Sequence, residues 1–285
     1  MKKHIFKTAC RGVMIIGLIA SAGMTQLTYA QPAPAASEAW KTDDKKLNRA
    51  ILDLVIANHI LAHEGVVDAY GHISMRHPTN PNRFLLARSR SPELVQPEDI
   101  LQFNNDGTPV DLKGLHPYIE RFIHAGIYKL RPDVNAVVHS HADEVLPYTI
   151  SSTPLVPVIH SAGVIGDHIP VWDIQKRFGD TNLLVTNAEE GEDIASVLGK
   201  NNVVLMRGHG FAAAGRNLIE VLRMSIYLRL NATVQTEASR LGKFKPLSEG
   251  ETAKITDIDP NAPELRRAWE YWATRAGSAD LLATP

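Results

Sequence analysis

Apolar residues recur along the chain at two periods, and the switches between them divide it into elements. In "DDKKLNRAILDLVIANHILAHEG", Leu47, Ile51, Leu54, Val55 and Leu61 fall at helical spacing and Gly65 marks a stop. "GHISMRHPTNPNRFLLAR" alternates through Ile73 and Met75 and predicts two short strands around a Pro/Asn turn. "DILQFNNDGTPVDL" predicts a second hairpin that turns at Asn105-Asp106-Gly107. "PYIERFIHAGIYKL" returns to the helical period, with Ile119, Phe122, Ile123, Ile127 and Leu130 on one side and Pro117 near the first turn. A strand over "NAVVHSHADEV" follows.

Leu183-Leu184-Val185-Thr186 is a further strand candidate, and "NAEEGEDIASVLGK" a helix with Asn187 as N-cap, Glu190 at the capping-box position and Gly199 at its end. "NNVVLMRGHGFAAAG" reads as a buried strand that breaks into a Gly-flanked loop. Two helices close the chain, over "LIEVLRMSIYLRLNATVQTEASRLG" and "PELRRAWEYWATRAG". Strands and helices in this irregular order, with hairpins early, predict a layered α/β domain around a mostly antiparallel sheet.

The first residues belong to a different pattern. Lys2, Lys3, Lys7 and Arg11 precede an apolar run from Val13 to Ala22, and Thr28-Tyr29-Ala30 is a small-residue end suited to cleavage. Residues 1–30 therefore read as a secretory signal peptide, with an apolar run short for an uncleaved membrane anchor. Residues 31–43 read as a flexible lead-in and 44–285 as one domain ending in a helix. The whole chain has 30 basic and 31 acidic residues; without the four basic residues of 1–30, 26 face 31, a net charge of −5. That balance argues against nucleic acid as a partner. Cys10 is the one cysteine, so an exported mature chain has no disulfide and relies on its core. Export to the periplasm is expected if the source is a Gram-negative bacterium, with no membrane anchor after cleavage.

Candidate chemistry begins at His139 and His141. On a strand, residues two apart share a face, and paired imidazoles there suit a metal better than a core. An open catalytic site of the zinc type takes about three protein ligands. His209, between Gly208 and Gly210, is the third candidate. Glu120, read as lying in the first turn of the helix before the His139 strand, is acidic among apolar neighbours, where burial would raise its pKa toward a useful range. Taken singly each has an ordinary reading: H-x-H is a weak signal, G-H-G can be a turn, and Glu120 can be a helix-terminus charge. His124, one turn past Glu120, is expected to be packed or hydrogen-bonded.

Together, "AHEGVVDAYGHISMR", "YIERFIHAGIYKLRPDVNAVVHSHADEV" and "VVLMRGHGFAAAG" resemble the class II aldolase/adducin family over about Leu47 to Gly242. The resemblance implies a three-layer α/β/α domain, a homotetramer with sites between subunits, and a divalent metal held by His139, His141 and His209. Zinc is the first expectation, with manganese or iron as alternatives. It also implies Glu120 as the acid/base and a small-molecule substrate. The family's sugar-phosphate enzymes carry phosphate-binding segments that this sequence replaces with Gly71-His72, "Ala87-Arg88-Ser89-Arg90" and Tyr118-Ile119. A phosphorylated sugar is therefore not expected. The wording resembles instead the family's decarboxylase branch, which includes enzymes acting on dihydroxylated aromatic acids such as 3,4-dihydroxyphthalate. There His72 would face substrate, and Arg88 and Arg90 could take a carboxylate in bidentate fashion, or stand as solvated surface arginines. Tyr271, Trp269 and Trp272 are candidates to complete a neighbouring subunit's pocket. The expected function is a metal-dependent carbon–carbon lyase, aldolase or decarboxylase. A non-catalytic exported metal-binding or scaffold protein and an aldolase-like iron oxygenase are the alternatives.

Overall fold

The computed structural model describes residues 38–282, so the expected signal peptide lies outside the described residues. The end of the expected flexible lead-in is ordered instead: Glu38–Trp40 forms a 3-10 turn, and Trp40 packs on the core. Helix α1 (Lys45–His63) follows, its first N–H groups accepted by the Asp44 side chain. Strands β1 (His72–Arg76) and β2 (Arg83–Ala87) make the first hairpin, and β3 (Ile100–Asn104) pairs with β2. Helix α2 (Arg121–Leu130) leads into β4 (Ala136–Ser140). A connecting region holds α3 (Leu146–Ile150), β5 (Val171–Trp172) and α4 (Gln175–Phe178). Helix α5 (Ala188–Leu198), β6 (Val203–Met206), β7 (Gly210–Gly215), α6 (Leu218–Leu241), α7 (Glu249–Thr256), α8 (Pro263–Arg275) and α9 (Ala279–Leu282) complete the order.

The seven strands form one sheet in the order β3-β2-β1-β4-β7-β6-β5, antiparallel except for the β5–β6 pair. Strand alternation divides the core in two. Ile73, Leu85, Val138 and Ala213 face α1 and α6, meeting Leu54, Ile60, Val221 and Leu228. Phe84, Leu86, Val137 and Ala212 face α2 and α5, meeting Ile123, Ile127, Ile194 and Leu198. Each such buried Ile, Leu, Val or Phe side chain stabilises the fold by about 1.5–3 kcal/mol, and a one-residue register slip would turn every strand residue to the wrong layer. The result is the expected three-layer α/β/α sandwich. Helices α2 and α5 approach closely because Gly126 and Gly191 meet there; a Cβ on Gly126 would stand 2.0 Å from the Gly191 carbonyl oxygen.

Three expectations need correction. The hairpin after β3 keeps its turn but only one bridge, Phe103 to Pro109, because Pro109 has no N–H to extend a ladder. Helix α2 begins at Arg121, leaving Ile119 exposed and Glu120 at the N-cap position rather than in the first turn. The Gly-flanked break after β6 is a tight turn into β7, so "GFAAAG" is a strand, buried throughout. Among the described residues, no helix is long and apolar enough to cross a membrane.

Candidate metal centre

Register places the site. His139 on β4 lies directly opposite His72 on β1 and Ala212 on β7, on the face covered by α2 and α5. His141 stands just past the end of β4. His209 occupies the β6–β7 turn, where Gly208 takes φ +64°. Gly210 then lies so close to β4 that a Cβ there would be 2.0 Å from the Ser140 carbonyl oxygen. That approach brings the turn histidine to the end of β4.

His139 Nδ1 donates to the Phe211 carbonyl at 3.0 Å and His209 Nδ1 to the Leu183 carbonyl at 3.0 Å. A carbonyl can only accept, so both rings carry a proton on Nδ1 and turn Nε2 inward. His141 Nε2 lies 2.9 Å from Nε2 of His139 and 3.1 Å from Nε2 of His209. Lone pairs facing at this distance repel unless a cation or a proton lies among them. Nitrogens bound at ~2.0–2.1 Å around a tetrahedral ion would be about 3.3 Å apart, so the arrangement suits a divalent metal within a few tenths of an ångström. Glu120 completes the group, its Oε2 3.4 Å from His139 Nε2 and 3.5 Å from His209 Nε2. One donor atom from each of the four residues falls within 4.8 Å of the others.

Burial of Glu120 would raise its pKa, as the sequence suggested, but His139 and His209 reverse the outcome through charge and hydrogen bonding, and the carboxyl is held well below its ordinary value. The correction matters chemically: an ionised carboxylate at this position can accept a proton. The His141 pKa is lowered to about 4 by burial and by the neighbouring His139 and His209, which favours the neutral ring that metal binding requires. The expected strand over Leu183–Thr186 does not form either. The Val185 N–H donates to Glu120 Oε1 at 3.0 Å, and the Leu183 carbonyl receives the His209 proton. Backbone groups that a strand would pair with a neighbour instead fix the two functional side chains, and Leu183 turns at φ +68° to do so.

Comparison with known proteins agrees with this geometry. Residues 52–236 match the Class II Aldolase and Adducin N-terminal domain. The decarboxylase tropJ of Talaromyces stipitatus is 34% identical over 247 residues, covering 78% of this chain and 92% of that protein. The chain belongs to the class II aldolase/adducin family. The 3,4-dihydroxyphthalate decarboxylase of Arthrobacter keyseri is 25% identical over 237 residues, covering 79% of this chain and 93% of that one. An aldolase II superfamily protein from Pseudomonas syringae has the same fold, with a TM-score of 0.69 and 20% identity over 83% of this chain and 95% of that one. Decarboxylase relatives and the histidine–glutamate cluster support a metal-dependent lyase of the class II aldolase type.

In this class II aldolase domain the remaining candidates surround the cluster in different ways. His72 packs on His139 with ring centroids 5.1 Å apart and on Tyr118 at 4.5 Å. Arg88 and Arg90 do share a side, but both reach the buried Asp99: Arg88 Nε at 2.5 Å and Arg90 at 3.2 Å. Each stays about one-third exposed, so neither is a purely solvated residue, and each keeps N–H groups beyond the Asp99 contact. Tyr118 links the two regions, its ring packed at a tilt on His72 while its hydroxyl donates to the Arg90 carbonyl. Trp269 and Trp272 belong to the core of this subunit, whereas Tyr271 is exposed. The sequence reading missed Ser74 and Tyr128, which join His124 behind His72. Spacing held a signal: His72 and Ser74 are two apart on a strand, His124 and Tyr128 four apart on a helix.

Proposed function

We propose that the protein is a divalent-metal-dependent decarboxylase of a hydroxylated aromatic carboxylate. The observation that carries this reading is the convergence of three inward-facing imidazole nitrogens beside Glu120, in a chain similar to two decarboxylases. A divalent ion, zinc first and manganese or iron as alternatives, would be held by His139, His141 and His209 and supply Lewis acidity toward adjacent substrate oxygens.

The chain's own groups supply the rest. Glu120 Oε2 takes the phenolic proton as substrate settles, which an ionised carboxylate can do and a neutral one cannot. The carbon–carboxylate bond then breaks, CO2 leaves, and its electron pair passes to the ring. Glu120 returns the proton to the vacated carbon, so charge and protons balance. General acid–base assistance of this kind contributes about 10²–10⁴-fold. Arg88 and Arg90 orient the carboxylate, and His72 faces the substrate. Export by residues 1–30 and a homotetrameric assembly belong to the same proposal.

The test is CO2 release from 3,4-dihydroxyphthalate and related ortho-dihydroxybenzoates by residues 31–285 loaded in turn with zinc, manganese and iron. Metal-dependent CO2 release supports the reading. Cleavage of L-fuculose 1-phosphate without CO2 release overturns it in favour of an aldolase, and oxygen consumption by the iron form overturns it in favour of an oxygenase. Bound metal with no turnover of any of these substrates would leave a non-catalytic metal-binding protein.

A further inference from the structure

Behind His72 runs a buried line of hydrogen bonds with no contact to the metal-site donors except through His72 itself. His72 Nδ1 is 2.6 Å from His124 Nε2, His124 Nδ1 is 2.6 Å from Ser74 Oγ, and Ser74 Oγ is 2.8 Å from the Tyr128 hydroxyl. All four side chains are buried, and His124 and Ser74 are fully so. Each of these short contacts needs a hydrogen on one atom and a lone pair on the other, between the two rings as between His124 and Ser74. An imidazole that accepts at one nitrogen must carry its proton on the other, so the proton order along the line follows from its far end.

At that end the order is set. The Tyr128 hydroxyl has Ser74 Oγ as its one hydrogen-bond partner among the described residues, so the phenol's proton points to Ser74. Reversing the line would leave that buried proton without an acceptor, a penalty of about 1–3 kcal/mol. Tyr128 therefore donates to Ser74, Ser74 to His124 Nδ1, and His124 Nε2–H to His72 Nδ1. The remaining proton of His72 must lie on Nε2, the ring atom with no hydrogen-bond partner among the described residues.

We propose that His124, Ser74 and Tyr128 are positioning residues that lock His72 as an Nε2–H donor toward a substrate oxygen beside the metal centre. The inference rests on the decarboxylase reading only for what His72 touches; the tautomer follows from this chain's own bonds. A neutral donor of fixed polarity selects an acceptor oxygen, carboxylate or phenolate, and rejects a ligand that presents an N–H or O–H there. The mismatch would leave two buried donors facing each other.

The experiment is a two-bond proton–nitrogen correlation spectrum of zinc-loaded, nitrogen-15-histidine-labelled protein, with His72 assigned through His72→Gln. A protonated Nε2 and a bare Nδ1 on His72 are expected; a proton on Nδ1 overturns the proposal. Two variants extend the test. His124→Gln preserves the order, since its amide N–H can donate to His72 and its oxygen can accept from Ser74. His124→Met removes both. The glutamine variant should keep the His72 tautomer and stay within about threefold of wild-type kcat/KM for CO2 release from 3,4-dihydroxyphthalate. The methionine variant should show a second tautomer and lose about tenfold or more at unchanged zinc content. Equal activity in the two folded variants, or equal loss in both, overturns the positioning role. If the wild type releases no CO2, the function reading has failed, while the spectrum still decides the tautomer.

Discussion

The backbone N–H of Val185 donates to Oε1 of Glu120 at 3.0 Å and leaves Oε2 facing the imidazoles of His139 and His209. The carboxylate is thus divided in function, one oxygen anchored and one available. Glu120→Gln can keep the anchor, because an amide oxygen also accepts from Val185. The variant should fold, bind metal at wild-type stoichiometry and lose at least about 10²-fold in kcat. Elemental analysis beside a CO2-release assay checks this, and turnover near wild type would remove Glu120 from the chemistry.

His139→Ala should lose metal and turnover together, since it deletes a ligand whose ring is wholly buried. Metal that binds the folded but not the unfolded chain stabilises by mass action, about 2.7 kcal/mol at a hundredfold excess over Kd. A chelator should therefore lower the Tm of the wild type and leave that of His139→Ala unmoved.

Acid should destabilise the fold through its buried histidines. The pKa of His124 is lowered to about 3 and that of His141 to about 4, against 6.5 for an unfolded histidine, with burial the largest cause in each. Between pH 6.5 and 4 the unfolded chain binds protons that the folded chain does not, so stability falls as pH falls. Each group contributes a slope of up to about 1.4 kcal/mol per pH unit. Above pH 7 neither contributes. Glu120, with its lowered pKa, adds to the same loss below its ordinary value of 4.5. Urea titrations from pH 8 to 5 should show midpoints that decline only below about 6.5, and His124→Gln should flatten the decline by about one proton.

Arg88 and Arg90 should separate on mutation. Arg88 Nε lies 2.5 Å from Asp99, so Arg88→Gln strands a buried carboxylate and should destabilise, by less than the ~3–5 kcal/mol of a fully buried pair because Arg90 remains nearby. Arg90→Gln leaves the shorter contact intact and should chiefly raise KM. Thermal melts and kcat and KM for the two variants settle the division.

Gly210→Ala should damage fold and site at once. The new Cβ would meet the Ser140 carbonyl at 2.0 Å, so β7 must move from β4 and take the His209 turn with it. A loss of at least about 1–3 kcal/mol and weaker zinc binding are expected, measured by urea unfolding and by competition with a chromogenic chelator.

What could be read in the sequence divides along physical lines. Helices α1, α5, α6 and α8 were legible because each buries one face, and α1 adds a clear helical period and α5 its Asn187 cap and Gly199 stop. The histidines were legible as candidates because metal sites demand few residue types. Leu183–Thr186 misled, since four apolar or β-branched residues look like a strand, and only partners distant in sequence, Glu120 and His209, decide otherwise. The direction of the Glu120 shift was hidden for the same reason: apolar neighbours in sequence imply burial, while the imidazoles that outweigh it come from elsewhere. Ser74 and Tyr128 were visible only as spacing.

The loop through Leu183 and Val185 holds Glu120 and His209 by a peptide N–H and a peptide carbonyl alone, groups that do not depend on side-chain identity. Related chains can therefore change these side chains while keeping the path of the backbone, within the limits set by the positive φ at 183 and the burial at 185. A comparison by residue identity will pass over this segment as unremarkable, although an insertion of one residue there would displace two working side chains together.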